Sequence, residues 1–183
     1  MRLALAEMLR RRGRWVSIVG AVAFIVFLVL VLAALADGLF VGTAGALETA
    51  RADALVFSSD GRRSLIRSEL PISALSSVAA VEGVADAGAL GVLLATAATG
   101  ADSFDIAVMG HLPGHAGEPK SLVEGRRPEL GEPFVGLADI SLRAKGISLG
   151  DEVTLTGSSH PVEVVGFVKN ARYMLADTLW VPL

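Results

Sequence analysis

From Trp15 to Ala36 the chain runs for 22 residues without a charged side chain. A helix of that length spans about 33 Å at ~1.5 Å per residue, against a hydrocarbon core of about 30 Å. A helix is also the one open-ended structure that satisfies its own backbone in lipid. The pattern therefore predicts a membrane span over 15–36. Before it, Leu3, Leu5, Ala6, Met8 and Leu9 alternate loosely with Arg2, Glu7 and Arg10, the pattern of a short amphipathic helix at the inner interface. After it, Gly38, Gly42 and Gly45 interrupt an apolar stretch that ends near Ala52. Gly38-x-x-x-Gly42 either admits a second helix at close range or marks a flexible exit from the bilayer.

Beyond the stalk the period shortens. Ala54–Ser58 reads as a strand running into the turn Ser59-Asp60-Gly61. Ile72, Leu75 and Val78 recur at helical spacing after Pro71, and Glu82-Gly83 ends that helix. Residues 84–99 and 103–110 read as two strands parted by Gly100-Ala101-Asp102, with the Ala-rich first one open to a helical reading. From His111 to Pro133 prolines and glycines break the pattern into a loop-rich lobe or long connection. Leu137–Lys145 then reads as a short helix stopped by Gly146. Asp151–Thr156 and Val162–Val168 form a hairpin about Gly157–His160, and Thr178–Leu183 a last strand. The sum is an α+β fold: an N-terminal transmembrane helix, then a mixed α/β domain with a smaller loop-rich lobe.

Charge sets the direction. Residues 1–14 hold five Arg and one Glu while the whole chain carries −3, so the remainder is acidic. Arg10-Arg11-Arg12-Gly13-Arg14 directly before the span predicts a cytoplasmic N-terminus and residues 37–183 outside. An acidic exterior argues against nucleic acid as a partner, since phosphate-binding faces cluster Lys and Arg. The lipid bilayer is the expected partner of the basic segment. Ala34-Leu35-Ala36 has the small-x-small form of a signal-peptidase site, but the apolar run exceeds the roughly 7–15 residues of a cleaved signal, which favours an anchor. Four segments follow: 1–14 basic and amphipathic, 15–36 transmembrane, 37–53 a membrane-proximal stalk, 54–183 the outer domain. Cysteine is absent, which excludes disulfides and thiolate metal sites.

Catalytic chemistry finds no support in the residues. Gly114–Ser121 superficially has the form of a phosphate loop, yet Pro119 stands where a Gly N–H is needed before Lys120. His111 and His115 are four apart with Pro113 and Gly114 between them, and His160 sits alone in a turn, so three exposed histidines are expected rather than a metal site. Asp102 with Asp105, and Glu129 with Glu132, read as solvated loop charges. No nucleophile elbow is present. No catalytic residue, cofactor or metal is expected.

One ordered set of motifs is specific: Glu124-Gly125-Arg126-Arg127-Pro128, then Gly131-Glu132-Pro133, Leu149–Leu155, Val162–Val168 and Leu179–Leu183. It resembles the extracytoplasmic core domain of MacB/FtsX-like ABC transporter permeases. On the residues alone, the turn at Gly125 brings Arg126 and Glu132 close enough for a structural ion pair or a ligand contact. Gly125, Arg126, Pro128, Glu132, Gly150, Asp151, Gly166 and Pro182 are the motif positions, expected to be structural, and Gly38 and Gly42 are the candidate helix-packing pair. The match covers the anchor and about residues 120–183; residues 54–119 fit only in general pattern.

The resemblance implies a permease subunit, one that couples a separate cytoplasmic ABC ATPase to an outer domain for export, lipid or lipoprotein extrusion, or mechanotransmission. A permease homo- or heterodimer is implied with it. In that family three further membrane helices follow the outer domain, so the chain corresponds to the N-terminal half, lacking those C-terminal helices and the loop that engages the ATPase. The alternative is a freestanding anchored binding or adaptor module without an ATPase partner.

Overall fold

The computed structural model describes residues 12–99 and 102–183. The expected interfacial helix over 1–14 and the Gly100-Ala101 turn fall largely outside them. Helix α1 (Arg12–Thr49) takes up the charge-free stretch and continues through the three glycines. It is long and apolar enough to cross a membrane. The chain divides into two compact units between Phe40 and Val41. In the first, apolar side chains from Val16 to Leu35 are exposed all round the helix, the distribution expected of a lipid-facing span rather than an amphipathic core helix.

The second unit is built on seven strands: β1 (Leu90–Thr99), β2 (Asp102–His111), β3 (Leu122–Gly125), β4 (Val135–Asp139), β5 (Glu152–Leu155), β6 (Val162–Val168) and β7 (Asp177–Pro182). Their order is β3-β6-β4-β7-β2-β1-β5, and β5 also pairs with β6. The strands β6-β4-β7-β2-β1-β5 therefore close on themselves, with β3 beside the C-terminal half of β6. Pairs β2–β7 and β4–β6 are parallel and the rest antiparallel.

Both faces are buried along β4, most of β6 and the second half of β2, which explains why β2 and β6 read as continuous apolar runs instead of alternating ones. Ile106, Val108, Ala138, Val153, Val164, Phe167 and Leu179 form one core cluster. The residues between them, Ala107, Met109, Leu137, Val168 and Trp180, form the other, together with Ala46 and Ala50 from the end of α1. A register shift between β4 and β6 at Gly136/Leu137 re-phases β6, so that Val164 and Phe167 serve the same cluster.

Three expectations change. Ala54–Ser58 is not a strand: Leu55 and Val56 are exposed and the segment leads into a 3-10 turn at Ser59–Gly61. Leu137–Asp139 belongs to β4, packed between β6 and β7, and only Ile140–Lys145 is helical, as a 3-10 turn. Asp139 caps that turn by accepting from the Ser141 N–H at 2.9 Å, and Gly146 ends it at φ 83°. The long connection from His111 to Pro133 contains β3. The short helix after Pro71 is α2 (Ala74–Ala79), and the β5–β6 hairpin pairs Val153 with Val162.

Candidate functional site at the end of the long helix

The last two turns of α1 are built into the sheet unit by two loops. The first, Lys169–Ala176, joins β6 to β7. Asn170, Met174 and Leu175 adopt φ of 55°, 50° and 66°. Asn tolerates this region, whereas Met and Leu enter it only when their surroundings hold them there. Two of the holding groups, Asp139 and Thr178, are buried. Asp139 accepts from the Ala171 N–H at 2.8 Å, and the Thr178 hydroxyl donates to the Ala171 carbonyl at 2.6 Å. Ser141 donates to Asp177 at 2.6 Å, which also pairs with Arg172 at 3.3 Å.

So fixed, the loop bonds to the helix backbone. The Leu175 N–H donates to the Gly42 carbonyl at 2.7 Å, the Met174 N–H to Thr43 at 3.0 Å, and the Ala46 N–H to the Arg172 carbonyl at 2.9 Å. Gly42 carbonyl and Ala46 N–H are partners in a regular helical ladder; here both reach across to the loop. Glycine permits the approach. A Cβ at Gly45 would lie 2.5 Å from the Asn170 oxygen, and one at Gly42 2.8 Å from the Leu175 Cδ2.

The second loop covers the helix terminus, where carbonyls lack intrahelical partners. The Lys120 N–H donates to Thr49 at 2.7 Å, the Arg51 N–H to Glu118 at 2.8 Å, and the Gly117 N–H to Arg51 at 3.1 Å. The buried Glu118 carboxylate pairs with Arg127 at 3.2 Å and Arg51 at 3.5 Å. Arg127 also donates to the Pro119 and Lys120 carbonyls at 2.7 and 2.9 Å. Ser121 links the two loops: its hydroxyl lies 3.2 Å from that of Thr49 and donates to the Lys169 carbonyl at 2.9 Å.

His111, expected to be exposed, is fully buried edge-on to Trp180 at 5.9 Å between ring centroids. Neither its ring nitrogens nor the Trp180 indole nitrogen has a hydrogen-bond partner. Burial lowers its pKa below 6.5, against an opposing pull from Glu118, so the neutral imidazole serves as core. His115 lies 3.0 Å from Asp86 and His160 packs on Phe134. Among the described residues no group of three metal-ligating side chains converges.

The motif positions lie elsewhere on the unit. Gly125 pairs with Gly166 where β3 crosses β6. A Cβ at Gly125 would lie 2.7 Å from the Gly166 Cα, and one at Gly166 2.6 Å from the Arg126 carbonyl, so the two backbones touch. Arg126 and Glu132 form a two-pronged ion pair at 2.5 and 2.8 Å. That pair holds the Glu132 carboxyl down at about 2, with help from the Glu129 N–H. Pro128 sits in the turn they close. Gly150 takes φ 83° and donates to the Val164 carbonyl at 2.8 Å, while Asp151 accepts from the Ser148 N–H at 2.8 Å. Pro182 lies beside His111 at the end of β7. Of the two stalk glycines, Gly42 faces Leu175 and Gly38 has no non-local atom within 4 Å.

Solved structures share this fold, and two of them illustrate it. One is the extracellular domain of the noncanonic ABC-type transporter YknZ from Gram-positive bacteria, at 22% identity over 62% of this chain and 62% of that one, with a TM-score of 0.51. The other is the periplasmic region of MacB from Actinobacillus actinomycetemcomitans, at 20% identity over 68% and 60%, with a TM-score of 0.50. The chain thus spans about three fifths of each. No family model matches the sequence, and no curated protein matches it. The resemblance read from the motifs is met at the level of the fold.

Proposed function

We propose that this chain is the membrane anchor and extracytoplasmic domain of an ABC transporter permease, with its N-terminus in the cytoplasm and residues 37–183 outside. The observation that carries the reading is the likeness of the sheet unit to the extracellular domain of an ABC-type transporter. An apolar helix long enough to span a bilayer, running into that unit, supports it. At the helix end, backbone bonds join helix to loop, and buried side chains such as Asp139 and Glu118 hold the loops in place. In the proposed mechanism a cytoplasmic ATPase moves the span, and residues Gly42–Thr49 pass that motion to the loops at 116–121 and 169–176, and through them to β6 and β7. Export, lipoprotein extrusion and mechanotransmission all fit such a relay, in a permease homo- or heterodimer.

The test is to express the chain from its own locus with neighbouring ABC ATPase genes and purify it by a tag from membranes. Co-purification of an ATPase whose turnover changes when the permease is present is the expected result. If no ATPase is retained and turnover is unchanged, the permease reading fails and an anchored adaptor replaces it.

A further inference from the structure

We propose that the free edge of β1 pairs with the same edge of a second copy of this chain, giving the dimer of the proposed function its seam; the premise of two copies rests on that reading. Strand β1 pairs with β2 along its whole length, from Leu90 to Thr99, yet β5 pairs with its other side only at Ala97 and Ala98. Two bonds show which residues face outward. The His111 carbonyl accepts from the Leu183 N–H at the end of β7, so His111 and its opposite residue Leu90 turn their backbone groups away from each other. The Thr96 carbonyl accepts from the Thr156 N–H, just past β5. Alternation between these two positions directs the N–H and C=O groups of Val92 and Leu94 out of the edge as well. Among the described residues no hydrogen bond reaches those four groups.

An open edge is usually guarded by a charge, a proline or a bulge. This one has none of them. The ladder to β2 runs without a register shift, and no charged residue or proline stands between Asp86 and Asp102. Leu93 and Leu94 lie on opposite faces of the strand and are 62% and 52% exposed. Because the chain beyond residue 14 is acidic, two copies approach with least repulsion where charge is absent. The edge is also complementary to itself. Antiparallel pairing about a two-fold axis at Leu93 sets Val92 of each copy against Leu94 of the other, which satisfies all four outward groups in both copies. The same axis brings the two Leu93 side chains together, and β5 beside Thr96 bounds the seam in each copy. That self-match makes the occupant a second copy rather than an unrelated strand.

The two Leu93 residues would stand about 4.5 Å apart at Cα, as opposite residues without mutual hydrogen bonds do, within the ~4.4–6.8 Å that a disulfide spans. The chain has no cysteine, so L93C in the full chain in detergent is oxidised with copper phenanthroline. L130C, on an exposed turn, measures random collision, and light scattering gives the size of the unsubstituted chain. The expected result is a dimer that L93C locks covalently and L130C does not. Adding L94P or L94K to L93C should abolish the cross-link, the first by removing an outward N–H and the second by setting like charges across the seam. L94K should keep the unfolding midpoint, since that side chain is half exposed. Cross-linking of L93C no stronger than that of L130C, or undiminished by L94K, overturns the seam. A dimer by light scattering without the L93C cross-link overturns the seam and leaves a permease dimer standing. A monomer by light scattering overturns the seam and the dimer together, while retention of an ATPase still tests the rest of the proposed function.

Discussion

Replacing Gly45 by Ala tests the junction with a single methyl group. The added Cβ would stand 2.5 Å from the Asn170 carbonyl oxygen and 3.1 Å from its carbon, against about 3.4 Å for ordinary contact. Helix and loop must therefore part by roughly 0.9 Å. The Ala46–Arg172 bond at 2.9 Å and the Leu175–Gly42 bond at 2.7 Å would stretch beyond hydrogen-bonding range. Overpacking of this kind costs about 1–3 kcal/mol, and each weakened bond about 1 kcal/mol. Ala gains back about 1 kcal/mol of helix propensity over Gly. The net is a loss of about 3 kcal/mol, or ~6–12 °C in unfolding midpoint for a unit of this size. The assay is thermal unfolding of the full chain in detergent, followed by Trp180 fluorescence, with G38A as control. Gly38 has open space around it, so G38A keeps or raises the midpoint. A midpoint for G45A at or above that of the unsubstituted chain would refute the close approach.

The Glu118 pairs should be unequal. R127M removes bonds to a buried carboxylate and two carbonyls and should cost about 1.5–3 kcal/mol, whereas R51M loses one long contact from a more exposed side chain and should cost about 0.5 kcal/mol; urea unfolding separates them. His111 has a folded pKa below its unfolded 6.5, so only the unfolded chain gains this proton at first and stability falls as pH drops below about 6.5. H111L should flatten that part of the stability–pH curve, and an unchanged slope would assign the dependence to another group. Glu132, held at about 2 from an ordinary 4.5, contributes stability that is present above 4.5 and lost as pH falls toward 2. E132Q should remove that segment of the acid-unfolding profile while leaving the profile above pH 5 parallel to the original.

What the sequence made legible follows from what each element needs. The apolar helix over 15–36 needs no neighbour to be recognised, so composition alone reveals it. Strands β2, β6 and β7 carry enough apolar residues to be read even without alternation. Leu137–Asp139 misled because a short apolar run fits either period, and only its neighbours β6 and β7 make it a strand. Ala54–Ser58 misled for the converse reason, an apolar run with no strand beside it. The motif glycines Gly125 and Gly166 were visible as glycines, but their pairing across two strands was not.

The junction itself left the weakest trace. Thr43 and Ala46 act there through backbone groups that every residue carries, so side-chain identity says nothing of them. In the sequence Gly45 reads only as an interruption of an apolar stretch. Its close approach to Asn170 depends on a loop more than a hundred residues away. The signals that could have been read are Asp139, a cap residue directly before Ile140–Lys145, and Asn170, a residue type at home in left-handed backbone.

The account rests most heavily on the proposed topology, with residues 37–183 outside and the N-terminus in the cytoplasm. Ser159, in the exposed β5–β6 turn, and Arg14, before the span, give the two positions for its most direct measurement. Cysteine variants S159C and R14C are treated in intact cells with a membrane-impermeant maleimide. The account predicts labelling of S159C without permeabilisation and of R14C only after it. Labelling of S159C only after permeabilisation would contradict it.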